Sequence, residues 1–214
     1  MQYHCKVSND IFVEKTMNGA IGLFLFLLVY FFLVFFLRSY LLWKRTGVNP
    51  LTFNKTDDAH GYNGKVFTFI SLLEFAVVFI YAFKSDWYQY LLPLWYLEHD
   101  YLQYIGWSFL IISLILVWVA QSQMANSWRI GIDEKNKTEL VTTGLFAISR
   151  NPIFLCVMIA NVGLLLIIPN AFTLLIVSLS TTSINTQIRL EEDFLQRNQG
   201  KKYQIYLNRV NRWL

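Results

Sequence analysis

The chain has 214 residues, of which 55% are hydrophobic, 17% aromatic and 15% charged, and its net charge at pH 7 is +4. A typical soluble domain carries about 25% charged residues. The composition therefore excludes an ordinary soluble globular protein and predicts an integral membrane protein, and we expect no nucleic-acid partner.

Five apolar segments approach the length of about 20 residues that crosses the hydrocarbon core of a bilayer. They are residues 19–37, 66–83, 101–120, 153–168 and 171–184. The last two are short and are separated by a Pro-Asn turn, which predicts a helical hairpin. The predicted fold is an all-α integral membrane protein with about five transmembrane helices and a cytoplasmic carboxyl-terminal helical extension.

We expect a single membrane domain over residues 1–214, in which 1–120 holds three spans, 121–152 a cytoplasmic loop and 153–214 the last two spans and the tail. Lysine and arginine gather after the first span, in the 121–152 loop and in the tail, whereas the 84–100 loop is mostly acidic. Positive charge marks the cytoplasmic side. The amino terminus is therefore predicted outside and the carboxyl terminus inside a bacterial inner membrane or the endoplasmic reticulum.

Few polar residues fall within the spans. The first span has none before Arg38, so we expect it to face lipid and to carry no function. Glu74 lies deep in the second span, where an ionisable group costs roughly 3 kcal/mol or more unless it is paired or hydrated. It must face the bundle, either as a contact to substrate or to a cation, or as a hydrogen-bonded packing residue. We expect Asn161 to hydrogen-bond a neighbouring helix. The histidines, including His60, are isolated, which predicts no metal site.

The sequence Arg150-Asn151-Pro152 opens the fourth span. Pro152 suits the first helical position and Asn151 is a good N-cap. A helix start exposes backbone N–H groups that bind anions, and Arg150 adds a planar cationic fork. The arrangement predicts an anion-binding helix end, unless it is only a capped membrane helix with an arginine at the interface.

The fifth span has no helix breaker before Gly200, so we expect it to leave the membrane as a continuous helix. Gln187 and Glu191 are one turn apart on this helix, and Arg189 and Glu192 are three residues apart. The adjacent carboxylates Glu191 and Glu192 point about 100° apart, so one can face a buried site while the other pairs outward. The alternative is an exposed charged helix.

After Gly200, an apolar stripe with basic flanks predicts a helix lying on the membrane surface. The stripe consists of Tyr203, Tyr206, Val210 and Trp213.

Taken together, these residues resemble the isoprenylcysteine carboxyl methyltransferase family and the related membrane phospholipid methyltransferases. The resemblance covers about the last third of the chain. Its motif residues are Gly144, Phe146, Arg150, Asn151, Pro152, Phe154, Gly163, Glu191, Glu192, Leu195, Gly200, Tyr203, Tyr206 and Arg212. The segment Trp128-Arg129-Ile130-Gly131 also resembles one that bacterial members carry.

The resemblance implies S-adenosylmethionine as cofactor, a lipid or lipidated acceptor within the bilayer and no metal. Gln187 stands where the prenylcysteine enzymes have an arginine, which leaves Arg189 to clamp an acceptor carboxylate. We therefore predict Arg189 and Glu192 as catalytic residues, and Gln187, Arg189 and Glu74 as substrate contacts. The predicted cofactor-binding residues are Arg150, Asn151, Pro152, Phe154, Glu191, Glu192, Tyr203 and Tyr206.

The predicted reaction is O-methylation of an isoprenylcysteine-type carboxylate. One alternative is a phospholipid amine N-methyltransferase. Another is a non-enzymatic lipid-binding or transporter-like membrane protein, in which Glu74 and Asn161 would line a path through the bilayer.

Overall fold

In a computed structural model, the residues described are 19–48, 57–128 and 139–214. Arg129, Ile130 and Gly131 of the bacterial-type segment lie outside them. The principal helices are α1 (Gly19–Thr46), α2 (Ala59–Phe83), α3 (Asp100–Met124), α4 (Pro152–Ile167), α5 (Ala171–Gln199) and α6 (Lys201–Arg209). Within the described ranges the only extended pairing is one isolated bridge, so the predicted all-α membrane fold is confirmed.

Three of the helices are long and apolar enough to cross a membrane, namely α1, α2 and α3, with 28, 25 and 25 residues. The other two predicted spans correspond to α4, a shorter apolar helix, and to the first half of α5. Helix α5 continues without a break to Gln199, as predicted, and ends at Gly200. Gly200 has a φ of 51°, a left-handed conformation that glycine adopts without steric cost.

Helix α1 is bound to the end of α3 through Arg38, which follows a π-helical turn over Phe32–Leu37. The Arg38 Nη2 atom donates to the backbone oxygens of Gln121 at 2.6 Å and Ala125 at 3.1 Å. The guanidinium also lies 5.9 Å from the centre of the Trp128 ring. Arg38 therefore satisfies the carbonyls at the end of α3, which have no partner within that helix.

The hairpin between α4 and α5 turns at Pro169-Asn170, as predicted. The Asn170 side chain accepts a hydrogen bond from the Thr173 amide at 2.9 Å and caps α5. Backbone bonds then tie the turn to the loop after α2, from Leu94 to Pro169 at 2.8 Å and from Ala171 to Leu92 at 3.1 Å. The hairpin tip is thereby anchored at the opposite end of the bundle from Arg150.

Helix α3 packs on α4, and α2 packs on α5. Gly106 and Gly163 allow the first of these pairs to approach closely. A Cβ atom on Gly163 would lie 2.8 Å from the Gly106 carbonyl oxygen and 3.0 Å from the Phe109 Cβ. Because the nearest neighbour is backbone, this contact cannot relax by moving one flexible side chain.

We expect Gly163→Ala to lower the stability of the detergent-purified protein by about 1–3 kcal/mol, as other overpacked cores are destabilised. Gly22→Ala on α1 is the matched control, since no atom lies within 4 Å of its added Cβ. Thermal unfolding of both variants tests the close packing of α3 on α4. Equal midpoints for Gly163→Ala and the parent would contradict it.

The orientation in the membrane remains a prediction. In a background where Cys5 and Cys156 are replaced by serine, Ser85→Cys should react with an impermeant thiol reagent added outside sealed cells. Lys202→Cys should react only after the membrane is opened. Both positions are exposed, so access to the reagent is not limited by burial. External labelling at position 202 would reverse the orientation.

Candidate functional site

A cavity of about 200 Å³ lies where α4 begins and α5 extends beyond its apolar half. Helices α1, α2 and α3 contribute Val34, Phe35, Phe67 and Gln121 to its wall, and α6 closes it with aromatic side chains. The wall also contains every residue predicted to bind the cofactor. These are Arg150, Asn151, Pro152, Phe154, Glu191, Glu192, Tyr203 and Tyr206.

Glu192 is the centre of an ion-pair cluster at this cavity. Its Oε1 atom is 3.0 Å from Arg150 Nη2, and its Oε2 atom is 2.6 Å from Arg212 Nη2. Arg212 Nε also donates to Oε1 at 3.1 Å. The bidentate contact and a low exposure, 12% for the Glu192 side chain and 10% for that of Arg150, make this a strong interaction.

Arg150 also binds the tail directly. Its Nη1 atom donates to the carbonyl oxygens of Leu207 at 2.9 Å and Val210 at 3.1 Å, and its backbone amide donates to Asn211 at 3.0 Å. Its Nε atom is buried and has no hydrogen-bond partner among the residues that the structure describes. A buried N–H without a partner is costly. Arg150 therefore has one unpaired donor beside the cavity.

The start of α4 is partly as predicted. Pro152 occupies the first turn and Asn151 precedes the helix, but the Asn151 side chain makes no capping hydrogen bond. The predicted cap is wrong, because Asn151 Nδ2 instead donates to the Arg212 carbonyl oxygen at 3.1 Å. The Asn151 side chain therefore contacts the tail and not the amides of the first turn of α4.

Glu191 faces a different environment from that of Glu192. Its Oε1 atom accepts a hydrogen bond from Gln187 Nε2 at 2.9 Å, and no described cation pairs with it. Burial raises the pKa of the Glu191 carboxyl to about 7, while the Gln187 hydrogen bond opposes the shift. This carboxyl consequently titrates near neutral pH.

Gln187 lies beneath Glu191 in a buried network between α2 and α5. Its amide contacts His60 Nδ1 at 3.2 Å and accepts from Asn63 at 3.1 Å, and Asn63 in turn accepts from Ser183 at 2.8 Å. The fold thus brings His60 to within one side chain of Glu191, although the sequence gives it no nearby metal-ligand partner. Gln187 itself is fully buried and does not line the cavity.

The tail packs on the protein. Tyr203, Tyr206 and Val210 are buried together and packed by Leu140 and other side chains. The Tyr206 hydroxyl donates to the Phe146 carbonyl oxygen at 2.6 Å. The predicted membrane-facing stripe is therefore wrong, because three of its four members form a small core that covers the cavity. This burial raises the pKa of both tyrosines to about 12.

Two predicted substrate contacts lie elsewhere. Arg189 is exposed, donates to the Asn185 carbonyl oxygen of its own helix at 2.8 Å and is not part of the cavity wall. Glu74 lines a smaller adjoining pocket deeper in the bundle. The structure thus brings Glu192 to the predicted cofactor residues but does not bring Arg189 or Glu74 to them.

The sequence analysis missed the contribution of the first two spans. Val34 and Phe35 of α1 line the cavity, contrary to the prediction that this span only faces lipid. Phe67 of α2 also lines it. These apolar side chains resemble ordinary lipid-facing or core residues, so no local pattern distinguishes them.

The fold and cavity define a helical membrane protein with a charged cavity at one end of its bundle. Residues 102–202 match the family model described as phospholipid methyltransferase. No curated protein and no solved structure gives a significant match. The matched segment runs from α3 to the start of α6 and includes Arg150 and both carboxylates. The resemblance to membrane methyltransferases related to the phospholipid methyltransferases is therefore confirmed, and it indicates methyl transfer.

The two carboxylates should affect stability differently. Glu192→Gln removes the counter-charge of the buried Arg150 and should cost about 3 kcal/mol. Glu191→Gln removes no ion pair. Because the folded-state pKa of Glu191 is raised, its stabilising contribution is present below its ordinary pKa and is lost as pH rises through about 7. Glu191→Gln should then match the parent at about pH 4, below the ordinary pKa of a glutamate, and exceed it in stability at pH 8.5.

Thermal unfolding of both variants in detergent at the two pH values measures these differences. Each substitution exchanges a carboxylate for an amide of the same shape, so each serves as the control for the other. Equal destabilisation by both variants would contradict the claim that the ion pairs of Glu192 stabilise the fold.

Proposed function

We propose that this protein transfers a methyl group from S-adenosylmethionine to an amine of a membrane lipid. The observation that carries the proposal is the charge of the cavity wall. Three carboxylates and one arginine are the charged residues among the described residues that line it. Glu192 is paired with Arg150 and Arg212, whereas Glu139 and Glu191 have no ion pair with a described residue. The part of the wall near these two unpaired carboxylates favours a positively charged group of a ligand.

The residues present fit the cofactor. The unpartnered Nε of Arg150 suits the carboxylate of the methionine part. Glu192 retains acceptor capacity for ribose hydroxyls or the amino group. Phe154, Tyr203 and Tyr206 offer aromatic surfaces to adenine. When bound there, S-adenosylmethionine supplies a methyl group on a positively charged sulfur.

The acceptor can arrive from within the bilayer, because helices α1 and α2 supply apolar side chains to the cavity. Val34, Phe35 and Phe67 form that part of the wall. They would hold the lipid, exclude water and help to align its nucleophile. A lipid would then bring its headgroup to the charged end while its chains stay among the spans.

Glu191 is the residue that an amine acceptor requires. A lipid ammonium must lose a proton before its nitrogen has a lone pair, and a carboxylate with a pKa near 7 accepts that proton at physiological pH. The nitrogen then forms the new bond to the methyl carbon as the bond to sulfur breaks. Glu191 holds the released proton and passes it to solvent through the cavity mouth.

The second candidate is the isoprenylcysteine carboxylate, which the motif residues in the last third of the chain favour. That acceptor is ionised without a base. It would need a cationic clamp, and Arg189, the residue predicted for this role, points along its own helix. The arrangement of charges thus supports the amine acceptor over the carboxylate.

Single-turnover methyl transfer to phosphatidylethanolamine and to a farnesylcysteine analogue between pH 5.5 and 8.5 separates the two. For the amine, the rate should rise up to about pH 7, the pKa of the Glu191 carboxyl, and then level off. Glu191→Gln should lower this rate about 10²–10⁴-fold, as the loss of a general base does. Arg189→Ala is the control and should leave it unchanged.

The opposite pattern would support the carboxylate acceptor. It consists of transfer only to farnesylcysteine, a flat pH profile and strong sensitivity to Arg189→Ala. Calorimetry with S-adenosylhomocysteine tests the cofactor separately. Absence of binding to the parent protein would refute the methyltransferase proposal altogether.

A further inference from the structure

A second, smaller pocket lies deeper between α1, α2, α4 and α5, with a volume of about 50 Å³. It shares Phe35, Phe67 and Val157 with the main cavity, so the two spaces adjoin. Asn161 lies nine residues beyond Pro152. At about 1.5 Å per residue, it is about 14 Å deeper along α4 than the charged end.

Tyr30 lines this pocket with its hydroxyl bonded to Ser113 at 3.2 Å. Four further polar side chains line it, namely Ser71, Glu74, Asn161 and Ser180. None of them forms a hydrogen bond with any residue in the described part of the chain, whereas the neighbouring Ser178 and Thr181 bond to carbonyls of their own helix. The expected interhelical hydrogen bond of Asn161 is therefore wrong. Its side chain is buried, yet it faces the pocket instead of a neighbouring helix.

Unsatisfied polar groups at this depth are costly, because no water in the hydrocarbon core can pair with them. The nearby polar groups of α2 and α5 show that the fold can satisfy such residues. Asn63, Ser183 and Gln187 are joined side chain to side chain at 2.8 and 3.1 Å. The polar pocket residues come from the same pair of helices and from α4, but they line the pocket and do not bond to one another.

The pocket has the size and chemistry to hold one small polar group. A space of roughly 10–15 Å³ suffices for one water molecule, so about 50 Å³ accepts a group of a few atoms. The Asn161 amide and the hydroxyls of Ser71 and Ser180 donate hydrogen bonds. Its apolar wall includes Leu27 and Ile70, which suits a group attached to hydrocarbon.

We infer that this pocket is a subsite for a carbonyl group in the linkage between the headgroup and the chains of the acceptor lipid. The inference rests on the proposed function, since it assumes that the acceptor headgroup occupies the main cavity. A lipid that enters between the spans then reaches the pocket with the part of the molecule that follows its headgroup. Hydrogen bonds from the polar pocket residues to this carbonyl would fix the depth of the lipid along the bundle, and so position its nucleophile at the main cavity.

The test compares the binding of diacyl phosphatidylethanolamine with that of the dialkyl ether analogue of the same chain length, which lacks the carbonyl groups. Binding to the purified protein is measured by native mass spectrometry. The parent should bind the diacyl lipid about tenfold more tightly, the effect of one hydrogen bond to a buried group. Ser180→Ala and Asn161→Leu should bring this ratio close to one.

Ser178→Ala is the matched control on the same helix, because Ser178 is exposed and bonds to its own helix. This variant should keep the parent ratio. Equal binding of the two lipids to the parent, as expected of a site filled by water only, would overturn the inference. A ratio unchanged in both Ser180→Ala and Asn161→Leu would also overturn it.

Two further measurements separate this inference from the proposed function. Binding of S-adenosylhomocysteine should be equal in the parent and in Ser180→Ala, since the pocket lies outside the charged end. Repeating the diacyl and dialkyl comparison with phosphatidylglycerol removes the amine. A preserved ratio there, together with no methyl transfer to phosphatidylethanolamine, would reject the amine acceptor and retain the carbonyl subsite.

Discussion

The cavity depends on one ion-pair cluster, in which Glu192 binds Arg150 and Arg212. Arg150 precedes α4, Glu192 lies in the second half of α5, and Arg212 is two residues from the carboxyl terminus, so three distant parts of the chain meet at one carboxylate. Arg150 adds hydrogen bonds to carbonyl oxygens at the end of α6. The tail covers the cavity because its backbone carbonyls accept hydrogen bonds from Arg150.

The same helix presents two adjacent carboxylates to two environments. A rotation of about 100° per residue places Glu192 against the arginines and Glu191 against Gln187. One carboxylate is neutralised by two arginines, and the other is half-buried, with a raised pKa and no described counter-charge. In the proposed reaction this difference assigns a positioning role to Glu192 and proton acceptance to Glu191.

Polar residues inside the bundle fall into two groups with different consequences. Those at the charged end, including His60, Asn63 and Gln187, hydrogen-bond across α2 and α5 and hold these helices together. Ser71, Glu74, Asn161 and Ser180, which line the smaller pocket, form no hydrogen bonds with the described residues. Since both groups occupy a largely apolar bundle, the second group is better explained by a ligand than by packing.

The sequence by itself determined the elements and much of the site. Apolar length predicted the spanning helices, and Pro152 and Gly200 predicted helix boundaries through backbone constraints that act locally. The eight residues that the motif predicted to bind the cofactor all line one cavity. The spacing of Gln187 and Glu191 at one turn likewise predicted their contact. These features depend on the chain within a few residues, or on a motif whose members are recognised as a set.

Only the tertiary structure decided which helix faces meet. The apolar stripe after Gly200 could pack on a membrane or on the protein itself. It packs on the protein, because Leu140 and Leu195 lie beside it. Arg189 could in principle enter the cavity, but its face of α5 turns outward. Val34 and Phe35 became cavity residues because α1 packs beside the start of α4. The periodicity of the sequence predicts which residues share one face of a helix. What that face packs against depends on contacts between residues that are far apart in the chain.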